Sequence, residues 1–129
     1  MIERFGHDCL IALATCENNV PFVRTVDAFY EDGAFFVLTH ALSNKMKQID
    51  INPVIAVLGD WFTGHGTGEN LGYFGNANNR PIADKMKEYF AVWIDNGHND
   101  FSDPNTVILK IILKDGILLS DGKRYEIVF

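Results

Sequence analysis

The sequence predicts a single α+β domain over residues 1–129, mainly a small, mostly antiparallel β-barrel with one short helix and one longer helix. Three observations carry this. Runs rich in aromatic and β-branched residues follow one another across short polar turns. A single long segment repeats its apolar residues at helical spacing. A chain of 129 residues, 47% of them hydrophobic, supplies one packed core. Closing such strands into a barrel removes exposed sheet edges.

Cys9 to Thr15 is a continuous apolar run, Glu17-Asn18-Asn19 is a turn, and Val20 to Tyr30 is extended, which together predict a hairpin. Glu31-Asp32-Gly33 leads into a third strand, Ala34 to Thr39. Ser43 suits the N-cap of a short helix through Lys45, Met46, Ile49 and Asp50, which Asn52-Pro53 ends because the residue before proline resists helical dihedrals. Pro53 to Leu58 resumes as a strand. The run Thr63-Gly64-His65-Gly66-Thr67-Gly68-Glu69-Asn70-Leu71-Gly72 lacks the Gly-Lys-Ser/Thr ending of a P-loop, and its glycines predict a long flexible loop beside a pocket. Trp61 and Phe62, just before it, are either core or a stacking surface for a ligand. Ile82, Met86, Tyr89, Phe90, Trp93 and Ile94 recur at helical spacing between Pro81 and Gly97, which predicts the longer helix. Asp115-Gly116 and Asp121-Gly122 read as two-residue hairpin turns in a closing meander.

Composition narrows the partners. A net charge of -6 with scattered basic residues disfavours nucleic acid, which needs clustered Lys and Arg. The apolar stretches Ala34 to Leu38 and Val107 to Leu113 fall far short of the roughly 20 residues that span a bilayer. The first residues show neither a basic start nor an apolar middle, so a cytoplasmic protein is expected. Cys9 and Cys16 read as buried thiols, and His65, His98 and Asp100 have no shared helix face or ligand spacing, so no metal is expected.

Two places point to chemistry. Arg24 falls in the middle of the row Val20, Phe22, Val26, Ala28 and Tyr30 on one face of its strand. Either the other face, with Val23, Thr25, Asp27 and Phe29, is the buried one, or Arg24 pairs with a carboxylate, or it projects toward a ligand whose oxygens meet its fork of donors. The segment Thr39-His40-Ala41-Leu42-Ser43-Asn44-Lys45 joins hydroxyls and a cation to the free N–H groups of a helix start, the parts of an anion site; an ordinary serine cap beside a solvated lysine has the same residues. No nucleophile and base stand at recognisable spacing.

The runs Val20-Pro21-Phe22-Val23-Arg24-Thr25-Val26, Asp32-Gly33-Ala34-Phe35-Phe36-Val37-Leu38-Thr39, Ser43-Asn44-Lys45-Met46-Lys47-Gln48-Ile49 and Asn52-Pro53-Val54 resemble the pyridoxamine 5'-phosphate oxidase-like family of FMN-binding split barrels. The resemblance covers roughly residues 5 to 60 by motif and the rest by element order. It implies a split barrel with FMN as cofactor. Arg24 and Val26 would approach the flavin, with Thr25 between them, and Thr39, Ser43 and Lys45 would bind its phosphate. Asn44 occupies a position that relatives often fill with a basic residue. It also implies a flavin-dependent oxidoreductase acting on a small molecule, and a homodimer with FMN at the seam. The alternative on the same barrel is a non-catalytic protein binding a flavin, deazaflavin or haem-type ligand. The ten Phe, four Tyr and two Trp favour the dimer independently, because a small barrel has little interior volume for them.

Overall fold

The computed structural model describes all residues, Met1–Phe129. Seven strands, β1 (Cys9–Glu17), β2 (Val20–Glu31), β3 (Ala34–His40), β4 (Val54–Gly59), β5 (Phe62–Tyr73), β6 (Thr106–Ser120) and β7 (Lys123–Val128), form one antiparallel sheet in the order β3-β2-β1-β4-β5-β6-β7. Pairing of β3 with β6 closes six of them into a barrel. β6 is long enough to serve two neighbours along one edge. Its first half pairs with β3, from Ala34↔Ile112 to His40↔Thr106, and its second half with β7, from Asp115↔Val128 to Ser120↔Lys123. Three helices accompany the sheet: α1 (Ile2–Phe5), α2 (Asn44–Ile51) and α3 (Arg80–Tyr89), the last preceded by a 3-10 turn at Ala77–Asn79.

Three hairpins turn on two residues that both have positive φ: Asn18-Asn19, Asp32-Gly33 and Asp121-Gly122. That backbone matches the right-handed twist of the flanking strands, and Asn, Asp and Gly tolerate it best.

Four expectations change. Asp115-Gly116 is not a hairpin turn but lies inside β6, where the ladder with β5 slips from His65↔Asp115 to Gly66↔Leu113 and leaves Lys114 as a bulge. The glycine-rich run is not a loop but most of β5. Its glycines permit close approach: a Cβ on Gly66 would sit 1.9 Å from the Ile112 carbonyl oxygen, and one on Gly64 would meet the Phe62 ring at 2.8 Å. Phe62 is core, and Trp61 is exposed at the β4–β5 turn with φ 51°. α3 stops at Tyr89, although Phe90 and Ile94 remain buried beyond it. The fourth addition is α1, whose four residues place Phe5 inside the barrel.

The barrel interior is an aromatic and aliphatic core. Phe5 packs edge-on against Phe35 and Phe62, with ring centroids 5.6 and 5.8 Å apart. At the other end Met46 and Ile49 of α2 enter the same cluster, and Ile49 lies against Gly68. A second cluster forms outside, where Ala83 and Met86 of α3, with Phe90 and Ile94, cover Phe29, Phe36 and Ile108. The outer face of β1, β4 and β5 has no such cover. Leu10, Val54 and Leu58 are 64%, 58% and 60% exposed there, around Ala12, Ala14 and Ala56.

Behind α3, Trp93 donates its indole N–H to Asp8 Oδ2 at 3.0 Å, which ties this segment to the start of β1. The other Asp8 oxygen is shielded from solvent and has no N–H or O–H partner. Asp27 of β2 interacts with Asp8: burial first, then the Asp8 charge and a hydrogen bond between the two carboxyl groups, push Asp27 above the usual carboxylate range. Burial, followed by Asp8 and Asp27, pushes the neighbouring Cys9 thiol up to about 12, so it stays protonated. Because the Asp27 value is raised, the native chain keeps a proton that the unfolded chain releases. This contribution is present below the ordinary aspartate value of about 3.9 and is lost as pH rises through the raised one. Asp27→Asn supplies the donor permanently. It should add about 1 kcal/mol at pH 7, roughly 4 °C in Tm, and flatten the stability profile above pH 4. Thermal melts from pH 4 to 8 check this; a variant less stable at pH 7 would show that the shared proton is unimportant.

Candidate functional site

Arg24 reaches the site because β1 and β2 pair in the register Leu13↔Arg24 and α2 crosses the same end of the barrel. Its Nη1 donates to the Leu13 carbonyl at 3.3 Å and to the Thr15 hydroxyl at 2.7 Å, and its Nη2 donates to Gln48 Oε1 at 3.1 Å. Thr15 in turn donates to the same Gln48 oxygen. Thr15 and Gln48 are among the few buried polar residues of the chain. All three acceptors of the guanidinium are uncharged, and burial lowers its pKa from the ordinary arginine value.

Lys45 stands in the first turn of α2. Burial first, and then the charge of Arg24, lower its pKa below the ordinary lysine value. The five ion pairs of the molecule are His40–Asp103, His65–Asp115, Arg80–Asp84, Lys85–Glu31 and Arg124–Glu126. Neither Arg24 nor Lys45 takes part. With 17 acidic residues against 11 basic ones, carboxylates are plentiful. Two mutually repelling cations without one are therefore a feature of this place rather than of the composition.

Ser43 is the N-cap of α2 in extended conformation, φ -66° and ψ 156°, yet its hydroxyl makes no capping bond. Its oxygen is shielded from solvent and has no partner at all. A polar atom in that condition is costly unless something else completes it. The turn that delivers it is fixed from outside. His40 Nδ1 accepts the Leu42 N–H at 3.2 Å, leaving Nε2–H to donate to Asp103 Oδ2 at 3.1 Å. The Asn105 N–H, followed by His40, holds Asp103 below the usual carboxylate range.

The remaining sequence candidates are placed as follows. Thr39 lies at the end of β3, and its hydroxyl makes no bond within the chain. Asn44 opens α2 and is exposed. Val26 points inward into the barrel core. Thr25 is exposed on the face of β2 opposite to Arg24 and Val26. Arg24, Ser43 and Lys45 thus gather at one end of the barrel, Thr39 stands one turn away, and Thr25 presents its side chain to the uncovered outer sheet. Sequence reasoning missed Thr15, Gln48 and the His40–Asp103 pair. Thr15 and Gln48 carry only a weak signal, a polar residue at the end of an apolar run and another one turn beyond Lys45.

A groove of about 750 Å³ lies away from these residues, between Arg4 and the β7 residues Tyr125 to Val128. A groove of about 650 Å³ beside α2 is lined by Leu42, Lys47, Asp50 and Glu69, not by Arg24 or Lys45. The unpaired charges and the orphaned hydroxyl line neither groove. No group of three His, Cys, Asp or Glu is arranged to hold a metal ion, and no helix is long and apolar enough to cross a membrane. Two cations, a hydroxyl free to donate and the first N–H groups of α2 suit a phosphate monoester.

No family model and no curated protein matches the sequence. Solved structures do match by shape. General stress protein 26 from Bacillus anthracis str. Sterne has a TM-score of 0.69 at 21% identity, over 97% of this chain and 94% of its own. A general stress protein 26-related protein of the pyridoxinephosphate oxidase family from Clostridium acetobutylicum has a TM-score of 0.59 at 20% identity, over 93% and 85%. An FAD-binding protein from Mesorhizobium loti has a TM-score of 0.66 at 18% identity, over 88% and 87%. The chain has the pyridoxamine 5'-phosphate oxidase-like split-barrel fold.

Proposed function

We propose that this chain is an FMN-dependent oxidoreductase of the cytoplasm, with residues 1–129 acting as one cofactor-binding unit of a homodimer. The observation that carries the reading is the pair of unneutralised cations, Arg24 and Lys45, beside the shielded and unpartnered Ser43 hydroxyl. Lys45, Ser43 and Thr39, with Asn44 and the first N–H groups of α2, hold the phosphate. The backbone of the β2 stretch Arg24-Thr25-Val26, with the Arg24 side chain, approaches the ring. Bound flavin supplies the hydride and electron chemistry, and the chain supplies position and polarity. The FAD-binding neighbour supports a flavin ligand on this fold.

The phosphate role is tested by comparing FMN with riboflavin, which lacks the phosphate. Lys45→Ala should weaken FMN by roughly ten- to a hundredfold, the worth of a charge-assisted contact of about 1.5 to 3 kcal/mol, and leave riboflavin nearly unchanged. Equal losses for both ligands in a fluorescence titration would remove Lys45 from the phosphate site. The absorbance spectrum of the purified protein tests the wider reading. A flavin spectrum supports it, whereas an intense haem band or a colourless protein that ignores added FMN favours the non-catalytic alternative.

The dimer reading rests on the uncovered outer sheet. Small and apolar side chains from three adjacent strands, Ala12 and Ala14, Ala56 and Leu58, and Thr63, lie side by side in register and face solvent. A second copy of the chain is the proposed cover, and Thr25 would face it. Light scattering should report the mass of two chains at micromolar concentration. Ala56→Arg points a charge outward without touching the barrel core. It should shift the protein to monomer and weaken FMN at least tenfold, since a ligand bound only by the dimer is linked to assembly. A monomeric native protein with full FMN affinity would refute the seam.

A further inference from the structure

Gln48 supports neither the barrel core nor, by any direct contact in the chain, the proposed ligand. It is nevertheless buried, at 5% exposure, and takes two hydrogen bonds on one oxygen. Those bonds fix its orientation. Thr15 and Arg24 both donate to Oε1, so both lone pairs of the carbonyl are engaged, and turning the amide over would set an NH₂ donor against the guanidinium. The donor chain has one direction: Arg24 Nη1 donates to the Thr15 hydroxyl, and Thr15 donates to Gln48. The guanidinium is thus held at three points by groups of zero charge.

A carboxylate would be the ordinary partner at this position. Charges taken from water are paired as a rule, and glutamate has the shape of glutamine. With glutamine instead, Arg24 stays fully charged and repels Lys45, one turn earlier on the same face of α2. We propose that Gln48 is the residue that keeps the Arg24–Lys45 site doubly positive, positioning the guanidinium through a neutral acceptor so that its charge remains free for a dianionic phosphate monoester. Thr15 shares the positioning role. This rests on the phosphate-site reading, which it deepens: the selectivity for a doubly charged ligand resides in an uncharged side chain that does not touch it. Two like charges act on each other in this site, and a dianion relieves the repulsion, so the anion stabilises the fold in proportion to its binding.

Gln48→Glu and Gln48→Met separate charge from position. Melting temperatures are measured with and without inorganic phosphate, and FMN and riboflavin are titrated against each form. In Gln48→Glu the carboxylate neutralises Arg24. The free variant should melt above the native protein, phosphate should no longer raise its Tm, and FMN should bind roughly ten- to a hundredfold more weakly while riboflavin stays within about threefold. In Gln48→Met the charges persist without the acceptor, so phosphate should still raise Tm and FMN should weaken less than in Gln48→Glu. FMN affinity within threefold of native in Gln48→Glu, or a variant that melts below the native protein or does not fold, overturns the proposal. So does loss of the phosphate effect in Gln48→Met, which would make Gln48 a matter of orientation alone. The underlying reading fails separately. If native Tm ignores phosphate and the native protein does not prefer FMN to riboflavin, the phosphate site falls, while a higher Tm in Gln48→Glu still upholds the neutral partner.

Discussion

Closure of the barrel depends on the ladder between β3 and the first half of β6, from Ala34↔Ile112 to His40↔Thr106. Without it the sheet would be an open ribbon with two free edges, and Phe35, Val37, Leu109 and Ile111 would have no enclosed interior to fill. The same ladder fixes the end of β3. The turn from His40 to Ser43 therefore starts from a rigid strand, Ala41 N–H bonds to the Asn105 carbonyl at 2.7 Å, and α2 begins where the site needs it. The position of Lys45 is thus a consequence of strand pairing rather than of any contact that Lys45 makes.

Volume inside so small a barrel is shared between phenylalanine rings and glycine backbones. Phe62 folds over Gly64 and Gly116, where a Cβ would approach the ring to 2.8 and 2.5 Å. The rings of Phe5, Phe35, Phe62 and Phe129 then meet edge to face or tilted. Side chains of the core cluster thus occupy the interior. The candidate site lies accordingly at the rim, where β2 and α2 meet and polar groups remain.

Local chemistry made much of the fold legible. Asn18-Asn19, Asp32-Gly33 and Asp121-Gly122 announced three hairpins because positive φ is a property of two adjacent residues. Asp115-Gly116 carries the same signature but serves a bulge, since what decides its role is the Phe62 ring packed against Gly116 from a distant strand. The glycines of β5 misled for the same reason: close approach to the Ile112 carbonyl is a long-range fact, invisible beside a flexible-loop composition. Arg24 stood out because a charge interrupts an apolar row, and Ser43 because it precedes a helical run. Thr15 and Gln48 did not, since a lone threonine or glutamine becomes meaningful only when β1, β2 and α2 converge on one guanidinium. The carboxyl pair Asp8 and Asp27 was hidden likewise; Asp27 merely alternates with Phe29 on an outward face.

The dual pairing of β6 bears on how the chain folds. β1, β2 and β3 are joined by two-residue turns and can zip locally within microseconds, as can β6 with β7. The β3–β6 ladder instead joins segments separated by α2, β4, β5 and α3, so its loop-closure entropy must be met before its bonds form. Two hairpin units would form early, with β6 serving as the template on which the N-terminal meander docks late. Until that docking the edges of β3 and β6 are both open, the first carrying Phe, Val and Leu and the second rich in Ile and Leu. The interval before closure is therefore when a newly made chain is most exposed to intermolecular β-pairing, and crowding of nascent copies acts on that step rather than on the finished barrel.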